Sequence, residues 1–177
     1  MPQDRTQPPR TLGAGRFLRL VCRDGWEYVE RAGATGVVAV LALTSRDELV
    51  LTEQFRPPVS RRVIDLPAGL AGDGDSDETS QAAARRELEE ETGFTSHAFR
   101  QLTRLPTSPG LTSEKVDLLL AEGITRSGPG GGDESENIEV HLVPRSSIAA
   151  WLEERVAAGC LVDPKVYAAL WWAERLT

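Results

Sequence analysis

The ten residues from Arg85 to Phe94, RRELEEETGF, hold four glutamates in five positions: Glu87, Glu89, Glu90 and Glu91. Upstream, Thr79 has a hydroxyl suited to accept from the free backbone N–H groups of a helix start. Gly93 suits the left-handed position that ends a helix. These two signals predict a helix over about 80–92. On it, Glu87, Glu90 and Glu91 stand at i, i+3 and i+4 and share one face, whereas Glu89 points elsewhere. Ala84 and Leu88 form a separate apolar stripe that can seat the helix on a core. Like charges at such spacings repel weakly. A divalent cation turns that repulsion into coordination, and Mg²⁺ favours oxygen donors between carboxylates and phosphates. Arg86, beside the cluster, can pair with a carboxylate and fix its rotamer.

Working outward, 177 residues suffice for one domain with a proper core. A net charge of −7 argues against a broad nucleic-acid-binding face. No apolar run is long enough to span a bilayer, so no membrane partner is expected. The opening MPQDRTQPPRTLGAGR lacks an apolar signal core and reads as a Pro-rich disordered tail. Cys22 and Cys160 are isolated and form no CxxC pattern, which makes a reduced cytoplasmic setting the expectation.

The remaining elements follow from periodicity. RFLRLVC and WEYVER alternate around Asp24-Gly25, a hairpin signal. TGVVAVLALT is almost wholly apolar and reads as a buried strand. ELVLTEQFR and RVIDLPAG read as strands, the second stopped at Pro67, with LAGDGDSDE as an acidic loop after it. HAFRQLTRL, KVDLLLAE and IEVHLV are further strands, and RSGPGGGDESEN is a flexible loop by composition. Two helices close the chain, one opening on a Ser cap and one on Asp163 with Pro164 at its first position. The order is that of an α+β protein. His97 and His141 lack partners at metal spacing and receive no role.

Gly72, five residues, Glu78, seven residues and then RELEEETGF match all nine specified positions of G-x5-E-x7-R-E-U-x-E-E-x-G-U, where U is bulky and apolar. This resembles the Nudix box, the signature of hydrolases of nucleoside diphosphates linked to another moiety. QFRPP before it, DLPAGL leading into it, SPG around Pro109 and ENIEV at Glu136–Val140 are similar to the ADP-ribose and ADP-sugar pyrophosphatase branch. The spacing fits Gly72 rather than Gly69, which implies a three-residue insertion in the turn-rich loop between them.

The resemblance implies a Nudix-type α/β/α sandwich with a mixed sheet and an N-terminal β-hairpin extension. Residues 1–33 form the tail and hairpin, expected to dimerise, and residues 34–177 the hydrolase domain. It implies Mg²⁺, with Mn²⁺ as a substitute, held by Glu87, Glu90, Glu91 and the carbonyl of Ala68. Glu136 is the implied general base, with Glu134 and Glu139 as neighbours able to displace it, and Arg86 and Glu90 complete the catalytic set. Trp26 is implied at the base end of the substrate, Glu27 and Arg31 at base or phosphate, Arg56 at pyrophosphate, and Leu70, Gly110, Leu111 and Glu114 at the ribose. The implied reaction cleaves ADP-ribose or a related ADP-sugar to AMP and a sugar phosphate. Other nucleotide sugars such as GDP-mannose, and a non-catalytic nucleotide sensor, are the alternatives. A homodimer is implied in which Trp26 serves the partner's site.

Overall fold

Asp24 (φ 53°) and Gly25 (φ 82°) are both left-handed, as a two-residue turn between twisted antiparallel strands requires. They join the last two strands of an N-terminal meander: β1 (Arg10–Ala14), β2 (Leu18–Arg23) and β3 (Trp26–Arg31). The expected hairpin thus gains a strand from the stretch read as tail. β1 is exposed along almost its whole length and is held by backbone pairing with β2, so no burial pattern announces it. The computed structural model describes residues 8–72, 77–132 and 137–176.

The body of the chain contains β4 (Gly36–Ala42), β5 (Glu48–Arg56), β6 (Arg61–Asp65) and β7 (Ala68–Ala71), then α1 (Ser80–Thr92). There follow β8 (Phe94–Thr95), β9 (Ala98–Pro106), β10 (Lys115–Glu122), β11 (Thr125–Arg126) and β12 (Glu139–Pro144). The chain ends in α2 (Ile148–Ala157), β13 (Leu161–Val162) and α3 (Pro164–Ala173). Two four-stranded mixed sheets result, ordered β7-β4-β10-β9 and β12-β5-β6-β13, with β4 parallel to β10 and β6 parallel to β13.

β4 is apolar throughout because both of its faces are covered. Ala39 and Leu41 enter one core with Leu49, Ile64, Leu118 and the buried sides of α2 and α3. Val38, Val40 and Ala42 enter the other, against Ala83, Ala84 and Leu88 of α1. Helices on opposite sides of the sheets make the expected α/β/α sandwich. Leu88 is fully buried, a side-chain burial that stabilises by about 2 kcal/mol.

α1 has the predicted bounds. The Thr79 hydroxyl accepts from Ala82 N at 3.2 Å, and Gly93 (φ 70°) closes the helix with its N–H on Glu89 O. Asp163 caps α3 as expected, through Lys165 N. The Ser cap of α2 is not formed. Ser147 follows a short 3-10 turn and its hydroxyl donates instead to Pro144 O. β7 is the other addition: the chain leaves β6 at Asp65 and enters the second sheet at Ala68, so Leu66-Pro67 is a crossover rather than a strand end.

Candidate active site

Glu87, Glu90 and Glu91 open onto a cleft of about 1040 Å³ between α1, the sheet crossover and the start of α3. Their environments differ. Glu91 is buried, and its Oε2 accepts from Ala68 N at 3.0 Å. Glu87 lies over Gly69, where a β-carbon would overlap its carboxylate. Glu90 is more than half exposed, and Glu89 lies outside the cleft lining.

Arg86 ties the group together. Its Nε donates to Glu78 Oε1 at 3.0 Å, one terminal nitrogen to Leu70 O at 2.9 Å, and the other to Glu87 at 2.8 Å and Glu90 at 3.2 Å. The hydrogen bond from Arg86 holds the Glu78 carboxyl below its usual range, and the same bond pushes the guanidinium upward. Glu78 also accepts from Gly72 N at 3.1 Å. Gly72 (φ 78°) therefore turns the loop toward Glu78, while Gly69 makes room for Glu87. The box spacing identifies the first glycine and passes over the second.

Ala68, Leu70, Arg31, Arg56 and Glu114 line the same cleft. Arg31 and Glu114 are paired through both Nε (2.9 Å) and a terminal nitrogen (2.8 Å), which joins β3 to the segment before β10. The other named residues stand apart within this chain. Trp26 is exposed at the hairpin turn beside Glu27, and Gly110 and Leu111 sit on a loop whose Leu111 carbonyl accepts from Val29 N. None of these four lines the cleft. Glu136 and Glu134 lie outside the described residues.

The loop expected to be flexible is docked up to residue 132. Gly131 N donates to Glu91 O at 2.7 Å and Gly132 N to Glu90 O at 3.0 Å, while Ser127 N and Gly128 N both reach Gly93 O. These bonds satisfy the last carbonyls of α1, which a helix end otherwise leaves without partners. Gly132 reaches the cleft edge.

Three groupings of side chains carried no sequence signal. Lys165 Nζ lies 3.1 Å from Asp65 and 2.8 Å from Asp163 on the cleft wall. Burial lowers the Lys165 ammonium's affinity for its proton, but Asp65 and Asp163 outweigh that and raise it. Asp117 accepts from Ser80, Gln101 and Arg104, bracing the start of α1.

The third is Glu53, Glu139 and His141, whose ligand atoms all lie within 4.8 Å of one another. The pairing of β5 with β12 sets Glu139 opposite Glu53. Arg62 already supplies a cation there, bonding Glu53 and reaching Glu139. Burial works against ionisation of Glu53, yet hydrogen bonds from Arg62 and His141 hold its carboxyl below the usual range. None of the three lines the cleft.

A carboxylate-bearing helix after a glycine-rich loop, held against a mixed-sheet sandwich, defines a class of protein. The NUDIX domain profile matches residues 34–161, and the chain belongs to the Nudix family. It is 37% identical over 121 residues to an ADP-ribose pyrophosphatase of Bacillus subtilis, an alignment covering 68% of this chain and 64% of that protein. It is 35% identical over 159 residues to an ADP-sugar pyrophosphatase of Mus musculus, covering 85% and 69%. The fold matches a crystal structure of an ADP compounds hydrolase with a TM-score of 0.65 at 22% identity, over 83% and 84% of the two chains.

Proposed function

We propose that this chain is a divalent-metal-dependent pyrophosphatase that hydrolyses ADP-ribose or related ADP-sugars to AMP and a sugar phosphate. The observation that carries the reading is the convergence of Glu87, Glu90, Glu91 and Ala68 with Arg31 and Arg56 in one cleft. The ADP-ribose pyrophosphatase of Bacillus subtilis and the ADP-sugar pyrophosphatase of mouse, as relatives, support the substrate class.

The donor set fits Mg²⁺ or Mn²⁺, which take oxygen ligands. Gly69 leaves space for the Glu87 carboxylate, and the exposed Glu90 side chain is free to turn from Arg86 toward an ion. Glu87, Glu90, Glu91 and the Ala68 carbonyl are the proposed ligands. A bound divalent ion supplies charge neutralisation at the diphosphate and acidifies water.

The chain's own groups do the rest. Arg56 meets the diphosphate with a planar, permanently charged fork. Arg86 holds Glu87 and Glu90 at the cleft and fixes Leu70 beside the ribose. Glu136 is the proposed general base, taking the proton from water as it attacks phosphorus. Exposed Phe17, Leu18, Leu20 and Trp26 form the proposed homodimer face of the N-terminal sheet, from which Trp26 serves the partner's cleft. The two free cysteines suit the proposed cytoplasmic setting.

The test is a panel of nucleotide sugars with Mg²⁺, read as phosphate release after phosphatase coupling. ADP-ribose is expected to be turned over fastest. Preference for GDP-mannose, or no turnover of any member, refutes the reading.

A further inference from the structure

We infer that Lys165 is a positioning residue for the metal-binding turn at Ala68, acting through the carboxylate of Asp65.

Asp65 ends β6, and only Leu66 and Pro67 separate it from Ala68 in the second sheet. Every residue of this crossover is tied. Asp65 Oδ1 accepts from Leu66 N at 2.7 Å, Leu66 O from the Thr52 hydroxyl at 3.3 Å, and Pro67 O from Val40 N at 2.8 Å. Ala68 N donates to Glu91 at 3.0 Å. Asp65 is the one residue in the series tied by its side chain to a distant element, through Lys165.

The clamp is anchored at its far end by Asp163. Lys165 lies in the first turn of α3, its N–H on Asp163 Oδ1 and its ammonium on Asp163 Oδ2. Asp163 N donates in turn to Ile64 O, beside Asp65 on β6. The start of α3 is thus fixed to β6 by the backbone, and the Lys165 ammonium carries that position on to the Asp65 side chain.

Asp65 is 6% exposed, and a carboxylate so buried does not stay ionised without a cation. Removing Lys165 leaves Asp65 to take up a proton or move toward solvent. Either change disturbs the acceptor that orients Leu66 N, two residues before Ala68. Lys165 also lines the cleft, so direct contact with substrate is the competing role, and kinetics separate the two.

The kinetic arm rests on the proposed pyrophosphatase reading; the metal arm rests only on the proposed ligand set. Mn²⁺ binding without substrate is measured by the paramagnetic resonance of the free ion in wild type, Lys165→Met, Lys165→Arg and the double variant Asp65→Asn/Lys165→Met. The double variant buries no unpaired charge and keeps the test valid if Lys165→Met fails to fold. Loss of the clamp is expected to weaken Mn²⁺ binding and lower kcat by roughly tenfold each, the usual scale for groups that orient ligands. KM stays within about twofold, and Lys165→Arg recovers most of the Mn²⁺ affinity. Wild-type Mn²⁺ affinity in the folded double variant overturns the inference. So does a rise in KM alone. If wild type turns over no nucleotide sugar yet the variants lose Mn²⁺ as expected, the pyrophosphatase reading fails and the positioning role stands.

Discussion

The Glu87 carboxylate occupies the space that a side chain on Gly69 would need. A β-carbon at position 69 would overlap its Cδ and both oxygens. Gly69→Ala therefore evicts the carboxylate from the cleft while leaving the backbone of β7 a conformation that alanine can adopt. Roughly tenfold weaker Mn²⁺ binding and slower turnover are expected, as for loss of a ligand-orienting feature, with the melting temperature little changed. Wild-type Mn²⁺ affinity in Gly69→Ala shows that Glu87 is not a ligand in this orientation.

Glu91→Gln isolates charge from packing. Glutamine keeps an acceptor for Ala68 N in the same buried position but loses the anion. Mg²⁺-dependent turnover should fall by about a hundredfold or more on the scale of removed metal-site groups, with the circular dichroism spectrum retained. Unchanged turnover in the purified variant refutes the metal assignment. Glu136→Gln is expected to cost about a hundredfold or more in kcat with KM unchanged, the scale of a lost general base.

Gly130 (φ 71°) sits where a β-carbon would overlap the backbone of Thr92 and Gly93. Its neighbours Gly131 and Gly132 cap Glu91 and Glu90. Gly130→Ala must strain the backbone or lift the loop off α1, a cost of about 1–3 kcal/mol. Urea unfolding should show a lowered midpoint, whereas Gly123→Ala, with open space around it, is expected to pay only the smaller penalty of its positive φ.

What the sequence made legible was what short-range chemistry decides. Thr79 and Gly93 bound α1 through bonds within a few residues, and the glutamate spacing follows once the helix exists. The crossover at Leu66-Pro67 was not legible, because alternation reports burial and not which sheet a strand joins. Arg31 and Glu114 were each named by resemblance, yet their pairing spans 83 residues and appears only when β3 meets the loop before β10. Lys165, Asp65 and Asp163 come together through the parallel pairing of β13 with β6, which no local pattern encodes. The glycine run after Arg126 has the composition of a linker, and the terminal backbone carbonyls of α1 give it something to bind.

Asp117 links this architecture to pH. The hydrogen bond from Arg104 holds its carboxyl below the usual range, against the opposing effect of burial and with help from Ser80. Because the folded pKa is depressed, the unfolded chain takes up a proton first as pH falls. Asp117 thus contributes stability above the ordinary carboxylate range, and that contribution is lost as pH drops through its folded pKa. Asp117→Asn should lower the urea midpoint clearly at pH 7, since Ser80 at the start of α1 loses a charged acceptor. The gap between variant and wild type should narrow steadily as pH falls below about 4, the ordinary aspartate value. A gap that stays constant from pH 7 down to acid unfolding would mean that the Arg104–Asp117 pair adds no ionic stabilisation, and that Asp117 braces α1 by hydrogen bonding alone.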